Sequence, residues 1–185
     1  MELIKTNIKD AVVIQPVVYK DDRGYFMESY NHSKYKDLGL HATFVQDNES
    51  YSSRGVLRGL HYQCDSHAQA KLVRVIRGEV KDIIVDIREG SPSFGESVEV
   101  ILSESNNTQL FVPRGFAHGF IVLSEYALFA YKCDNFYNKD SEGQINPLCS
   151  KLDLNWGMET GELLLSEKDK NGPNLGDHKS SGIQY

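Results

Sequence analysis

The 185-residue chain sets 20 Lys and Arg against 26 Asp and Glu, a formal net charge of −6, with 40% apolar and 25% charged residues. That is the composition of an acidic globular protein able to bury a core in one domain. It lacks the broad positive field of nucleic-acid binders, no run of about 18 apolar residues occurs, and MELIKTNIKD has no secretory leader pattern, so neither nucleic acid nor membrane is expected as a partner and the cytoplasm is the expected location.

Along the chain, short segments rich in Val, Ile, Phe and Tyr run from Val12 to about Cys133, broken by Gly, Pro, Asp and Asn. The pattern predicts an all-β barrel or sandwich. DDRG at 21–24 reads as a turn, and a short helix is predicted over 33–38, with Asn31 or Ser33 as N-cap and Gly39 as its stop. Strands are predicted at LVRVI (72–76), KDIIVDIR (81–88), VEVIL (98–102), QLFV (109–112), GFIVL (119–123) and ALFAYKC (127–133). Turns at Arg77-Gly78, GSPSFG (90–95), Asn106-Asn107 and Pro113-Arg114-Gly115 separate them.

In KDIIVDIR, Ile83, Val85 and Ile87 share one face while Asp82, Asp86 and Arg88 take the other, with only Ile84 out of pattern: the alternation of a half-buried strand. A second helix is predicted within 159–165, and the polar stretch NGPNLGDHKSSGIQY (171–185) is expected to be a mobile or partner-dependent tail of a single domain. Cys64, Cys133 and Cys149 are odd in number with no C-x-x-C spacing, so they read as packing residues of a reducing compartment.

FVQDNESYSSRGVLRGLHYQ (44–63) is dense in polar groups for a strand and hairpin, which suits the lining of a barrel interior. Alternation directs His61 to one face with Leu57, Gly59 and Gln63. VPRGFAHGF (112–120) adds His118 after a Pro-x-Gly turn, ALFAYKC adds Tyr131, and Lys71 opens the strand after the His61 loop. Such a group can move protons beside a carbonyl: histidine titrates near neutrality, an ammonium stabilises an enolate oxygen, and a phenol returns a proton from another direction.

Seven segments taken in order, DDRGYFMESY, FVQDNESYSSRGVLRGLHYQ, QAKLVRVIRGEVKDIIVDIR, SPSFG, VPRGFAHGF, YKCDNFYNKDSEG and LSEKD, resemble the sugar-nucleotide epimerases typified by dTDP-4-dehydrorhamnose 3,5-epimerase. The resemblance implies a cupin-type jelly roll that inverts C3 and C5 of a dTDP-4-keto-6-deoxy sugar through an enolate, with no cofactor and no metal. On matching positions it makes His61 the general base, Asp169 the carboxylate orienting it, Lys71 the enolate-stabilising lysine, Tyr131 the proton donor and His118 a further pocket residue. For the nucleotide it implicates Arg23, Phe26, Glu28, Gln46, Asp47, Asn48, Arg58, Glu142 and Lys168, with Tyr137 near the base. Arg23 is implied to come from the neighbouring subunit of a homodimer. Strict alternation puts Arg58 opposite His61, and a bulge at Gly59 is the irregularity that would let both reach one substrate.

Other readings bring different chemistry. P-x-G-x-x-H at 113–118 resembles the metal histidine of metal-dependent cupins, but His61-Tyr62-Gln63 lacks the second histidine of that motif and Lys71 stands where a carboxylate is required, leaving His67 as the remaining candidate ligand. A relative inverting C3 alone, a ketoisomerase, and a non-catalytic carbohydrate-binding jelly roll share the same outline.

Overall fold

A computed structural model describes all 185 residues. One sheet has six strands, in the spatial order β1 (Glu2–Lys5), β2 (Val12–Gln15), β10 (Gln109–Val112), β7 (Lys71–Arg77), β12 (Tyr126–Cys133) and β5 (Gln46–Ser53). The other has five, β13 (Glu142–Gln144), β6 (Leu57–Gln63), β11 (Phe116–Val122), β8 (Glu79–Asp86) and β9 (Ser97–Ser103). Within both sheets the neighbouring strands are antiparallel. A separate hairpin joins β3 (Tyr19–Asp21) to β4 (Gly24–Phe26).

The two large sheets close on a shared core, to which the six-stranded sheet gives Val73, Val75, Leu110 and Phe129 and the five-stranded sheet Val80, Ile84, Phe120 and Val122. Phe120 and Phe129 stack across it with centroids 4.2 Å apart. This is the predicted jelly roll. Each fully buried aliphatic or aromatic side chain of such a core contributes about 1.5–3 kcal/mol.

The predicted first helix forms as α1 (His32–Asp37), and Asn31 rather than Ser33 caps it, its side chain accepting from Lys34 N. The predicted helix within 159–165 is only a 3-10 turn, Thr160–Glu162. A separate helix, α2 (Glu167–Lys170), starts after Ser166, whose Oγ accepts from Asp169 N at 3.1 Å. No helix is long and apolar enough to cross a membrane.

Two expectations need correcting. The 81–88 strand alternates as predicted but is buried on both faces: Ile83, Val85 and Ile87 pack against the C-terminal segment with Ile145, Leu152 and Trp156, while Asp82 and Asp86 are 0% exposed. The polar face looks inward because other segments cover the strand on each side. Residues 171–185 are not a loose tail either, since Leu175 and Ser181 are buried and Glu89 N donates to Ile183 O at 3.0 Å. Backbone groups of that polar stretch find partners on the barrel, which anchors it without a large apolar surface. All three cysteines are free and buried.

β6 carries the predicted irregularity. Arg58 pairs with Phe120 and His61 with His118, so Gly59 and Leu60 together oppose the single residue Gly119. That is a two-against-one bulge, and it shifts the alternation by one. Gly59 has φ +127°, and a Cβ there would lie 2.6 Å from Gly119 Cα and 2.7 Å from His118 O. We expect Gly59→Ala to lose at least about 2 kcal/mol of stability and nearly all turnover, because backbone must move and the side chains on either side are re-aimed. Thermal unfolding with a parallel activity assay checks this, and a wild-type Tm with wild-type turnover would refute it.

Candidate active site

The bulge sets the aim of two side chains on one strand. Leu57, Leu60 and Tyr62 pack into the cluster behind the five-stranded sheet, whereas Arg58 and His61 both line a cavity of about 350 Å³ between the sheets. Arg58 Nε donates to Ser52 Oγ at 3.1 Å, which ties the guanidinium to the facing sheet. The clash between strand alternation and a shared site for Arg58 and His61 is thereby removed.

His61 Nε2 lies 2.6 Å from Asp169 Oδ1, with side-chain exposures of 34% and 6%. Burial works against the Asp169 charge, but hydrogen bonds from the His61 ring, and contacts with Ser166 and the Gly59 backbone, hold its carboxyl below the ordinary carboxylate value. An ionised carboxylate only accepts, so Nε2 carries the proton and Nδ1 keeps the lone pair of a base.

A second His–Asp pair stands beside the first. His118, directly opposite His61 in the β6–β11 ladder, places Nε2 2.9 and 3.1 Å from the two carboxylate oxygens of Asp82. Burial pushes the His118 imidazole below its usual value despite Asp82, and the nearby Lys71 and His61 push the same way. Its ring stacks on Phe129 with centroids 6.2 Å apart.

Lys71 and Tyr131 come from the opposite sheet, on the neighbouring strands β7 and β12. Lys71 is 9% exposed, its ammonium makes no ion pair, and it sits 5.9 Å from the Tyr131 ring centroid. Burial pushes the Lys71 ammonium down, against the pull of Cys133, Asp82 and Glu142. Burial also pushes the Tyr131 phenol up, aided by Cys133 and opposed by Arg58. Tyr131 therefore keeps its proton at neutral pH.

His61, Lys71 and Tyr131 also line an adjoining cavity of about 300 Å³, with Gln46, Asn48, Tyr137 and Glu142. There Gln46 Nε2 donates to Asn48 Oδ1 at 3.0 Å and Gln46 Oε1 accepts from Tyr137 N at 3.1 Å. Glu142 pairs with Lys168 at 2.6 Å and accepts from the Tyr137 phenol at 3.4 Å. The two cavities meet at the three titratable groups, which suits a ligand with a small reacting end and a larger handle. No group of three or more His, Cys, Asp or Glu side chains is placed to hold a metal ion.

Four residues grouped with the site lie elsewhere in this chain. Asp47 points away from Gln46 and Asn48, as alternation on β5 dictates, and pairs with Lys132 at 2.8 Å in a different cavity on the outer sheet face. Arg23 and Phe26 sit on the β3–β4 hairpin, all of whose residues are exposed; the Arg23 side chain is 90% exposed and held only by Asp21. Glu28 hydrogen-bonds Asn31 at 3.0 Å and pairs with Lys34. None of Arg23, Phe26 and Glu28 lines either cavity of the site.

Sequence reasoning missed Asp82 and Ser52. Alternation puts Asp82 on the polar face of its strand, and nothing local to KDIIVDIR marks that face as buried. Ser52 shares the inward face of β5 with Asn48 by plain alternation.

Residues 5–177 match the family model described as dTDP-4-dehydrorhamnose 3,5-epimerase. The chain is 49% identical over 178 residues to the dTDP-4-dehydrorhamnose 3,5-epimerase of Shigella flexneri, covering 96% of this chain and 97% of that protein. Among solved structures it is similar to dTDP-4-dehydrorhamnose 3,5-epimerase from Elizabethkingia anophelis NUHP1, with a TM-score of 0.92, 54% identity and coverage of 96% and 97% of the two chains. It is also similar to dTDP-6-deoxy-D-glucose-3,5-epimerase from Legionella pneumophila Philadelphia 1 in complex with dTDP-4-keto-L-rhamnose, with a TM-score of 0.91, 48% identity and coverage of 95% and 93%.

Proposed function

The chain belongs to the dTDP-4-dehydrorhamnose 3,5-epimerase family, and from that premise we propose that it inverts C3 and C5 of dTDP-4-dehydro-6-deoxy-D-glucose on the way to dTDP-L-rhamnose. The observation that carries this reading is the placement of the His61–Asp169 pair on one wall of a single cavity and of Lys71 and Tyr131 on the other.

Both reacting carbons flank the C4 ketone, so loss of either proton gives an enolate. His61 Nδ1 takes the proton, and Asp169 stabilises the imidazolium that forms. The C–H electron pair moves into the ring C–C bond, and the carbonyl π pair moves onto the C4 oxygen. Lys71, buried and without an ion pair, supplies the positive charge for that oxygen. Tyr131 delivers its proton from the facing sheet, so the carbon is reprotonated on the side away from His61 and its configuration inverts. The proton held by His61 returns through solvent to the phenolate, which resets the site for the second carbon. No electron leaves the substrate, and the cycle needs no redox partner.

Gln46, Asn48, Tyr137 and Glu142 hold the nucleotide in the adjoining cavity, with Arg58 and Lys168 on the diphosphate. The working form is a homodimer: the exposed β3–β4 hairpin, with Tyr19, Tyr25 and Phe26 each more than half exposed, reaches the neighbouring molecule and brings Arg23 to its site. The reaction is placed in the cytoplasm, where three buried free thiols persist.

Incubation with dTDP-4-keto-6-deoxyglucose in deuterated buffer tests the assignment. Loss of both the H3 and H5 proton signals supports double inversion, loss of H3 alone points to the narrower enzyme, and retention of both refutes catalysis. Tyr131→Phe separates the two proton transfers. Washout by His61 continues in this variant while net inversion drops by about 10²-fold or more, because the enolate is reprotonated on its original face. Normal inversion by Tyr131→Phe removes the phenol from the mechanism.

A further inference from the structure

We propose that residues 178–185 are a strap that positions the rim of the nucleotide cavity, with Lys179 as its clasp. The proposal rests on the reading of that cavity as the nucleotide site. These eight residues lie beyond the 5–177 stretch matched by the family model, and their polar composition by itself suggests a loose end.

One end of the strap is anchored at the far side of the five-stranded sheet. Glu89 N donates to Ile183 O at 3.0 Å, Tyr185 N donates to Glu89 O at 3.1 Å, and the Tyr185 ring lies 4.9 Å from the Arg88 guanidinium. The other end grips two turns. Asp65 N donates to Ser181 O at 2.8 Å, and Lys179 Nζ donates to Asp140 O at 2.9 Å. The carbonyl of Lys179 accepts the phenol of Tyr62, the residue between His61 and Gln63 on β6.

The gripped turns form the rim. Asp140 lies in the 3-10 turn Lys139–Ser141, which runs directly into Glu142 on β13, and Asn138 N at its head donates to Gln63 Oε1 at 2.9 Å. Tyr137 precedes that turn and Glu142 follows it, so fixing Asp140 fixes both cavity residues. Two close approaches leave little room for other arrangements. A Cβ at Gly143 would fall 2.3 Å from the Tyr62 ring, and a Cβ at Gly182, where φ is +68°, would fall 2.1 Å from Asp65 Oδ1. Tyr62 thus lies flush under β13, and the strap lies flush against Asp65. Tyr62 and Gln63 themselves border the nucleotide cavity, and none of these groups lines the cavity shared by Arg58 and His118, so the strap acts on binding through the rim and not on proton transfer.

A chain ending at Asp177 and the full-length Tyr62→Phe variant test this, with dTDP binding by calorimetry and KM and kcat measured separately. The truncated protein should bind dTDP about tenfold more weakly and show a matching rise in KM, with kcat and deuterium washout at saturating substrate within about twofold of wild type. Tyr62→Phe, which keeps the ring and removes only the bond to Lys179, should shift binding the same way by about threefold. Wild-type dTDP affinity in a folded truncated chain overturns the proposal, as does a fall in kcat as large as the rise in KM. If the truncated chain does not fold, unchanged dTDP affinity in Tyr62→Phe overturns it. Failure of the wild-type protein to bind dTDP overturns the nucleotide reading and the strap with it, whereas wild-type binding with unaffected variants overturns the strap alone.

Discussion

Replacing His61 with alanine is expected to stop deuterium exchange at both C3 and C5 and to lower turnover by about 10²–10⁴-fold, the range a positioned general base supplies. The chain should still fold, since His61 is part-exposed and outside the main clusters. It should be less stable by about 1–3 kcal/mol, because Asp169 stays buried without its hydrogen-bond donor. In the wild type, the lowered Asp169 pKa contributes stability above its unfolded value near 3.8, and this is lost as pH falls through the folded value. In the variant the hydrogen bond and charge of His61 no longer oppose burial, so the Asp169 pKa moves up from its wild-type position and less of this stabilisation remains. The stability gap between the two proteins should therefore be full at neutral pH and close below about pH 4. Retained exchange at either carbon would remove His61 as the shared base, and a pH-independent gap would refute the coupling to Asp169.

The second large effect separates catalysis from stability. Lys71→Met removes a buried ammonium that has no ion pair and fills most of its volume with an apolar side chain. We expect kcat to fall by about 10²–10³-fold, the loss typical of removing one charge-stabilising donor, while the protein becomes more stable. Tm should rise by about 2–4 °C for each kcal/mol of burial cost relieved. The Lys71 pKa is lowered, so the unfolded chain binds its proton in the window between the folded value and the usual 10.5. Wild-type stability then rises with pH across that window, and the advantage of the variant shrinks as pH approaches the lysine range. A variant that is both active and no more stable would show that the lysine neither meets the enolate nor carries a desolvated charge.

Much of this molecule was legible residue by residue. Period-two runs and Gly, Pro and Asn turns located the strands from Leu72 to Cys133 because pleat geometry and turn sterics act within a few residues. Asn31 could be named as a cap because its side chain serves an N–H three residues on. The Gly59 bulge was foreseen from a conflict between alternation and the grouping of Arg58 with His61, and the register bears it out. Alternation alone was also enough to send Asp47 away from Gln46 and Asn48, yet resemblance grouped the three together.

What depended on long-range packing was not legible. The strand at 81–88 displays the polar and apolar faces of a surface strand, but only the arrival of the C-terminal segment on one side and the second sheet on the other decides that both are interior. The same holds for residues 171–185, whose partners include Asp140, 39 residues from Lys179, Ile87, 94 residues from Ser181, and Tyr62, 117 residues from Lys179. The composition and order of motifs in the chain therefore determined the fold class, the family, the chemical types in the site and, through the resemblance, the pairing of Asp169 with His61. Tertiary structure alone decided the 2.6 Å geometry of that pair across 108 residues and that Asp82 supports His118. The physical reason is that local sterics set each strand and turn, whereas the orientation and pairing of a buried charge are set by whatever else packs around it.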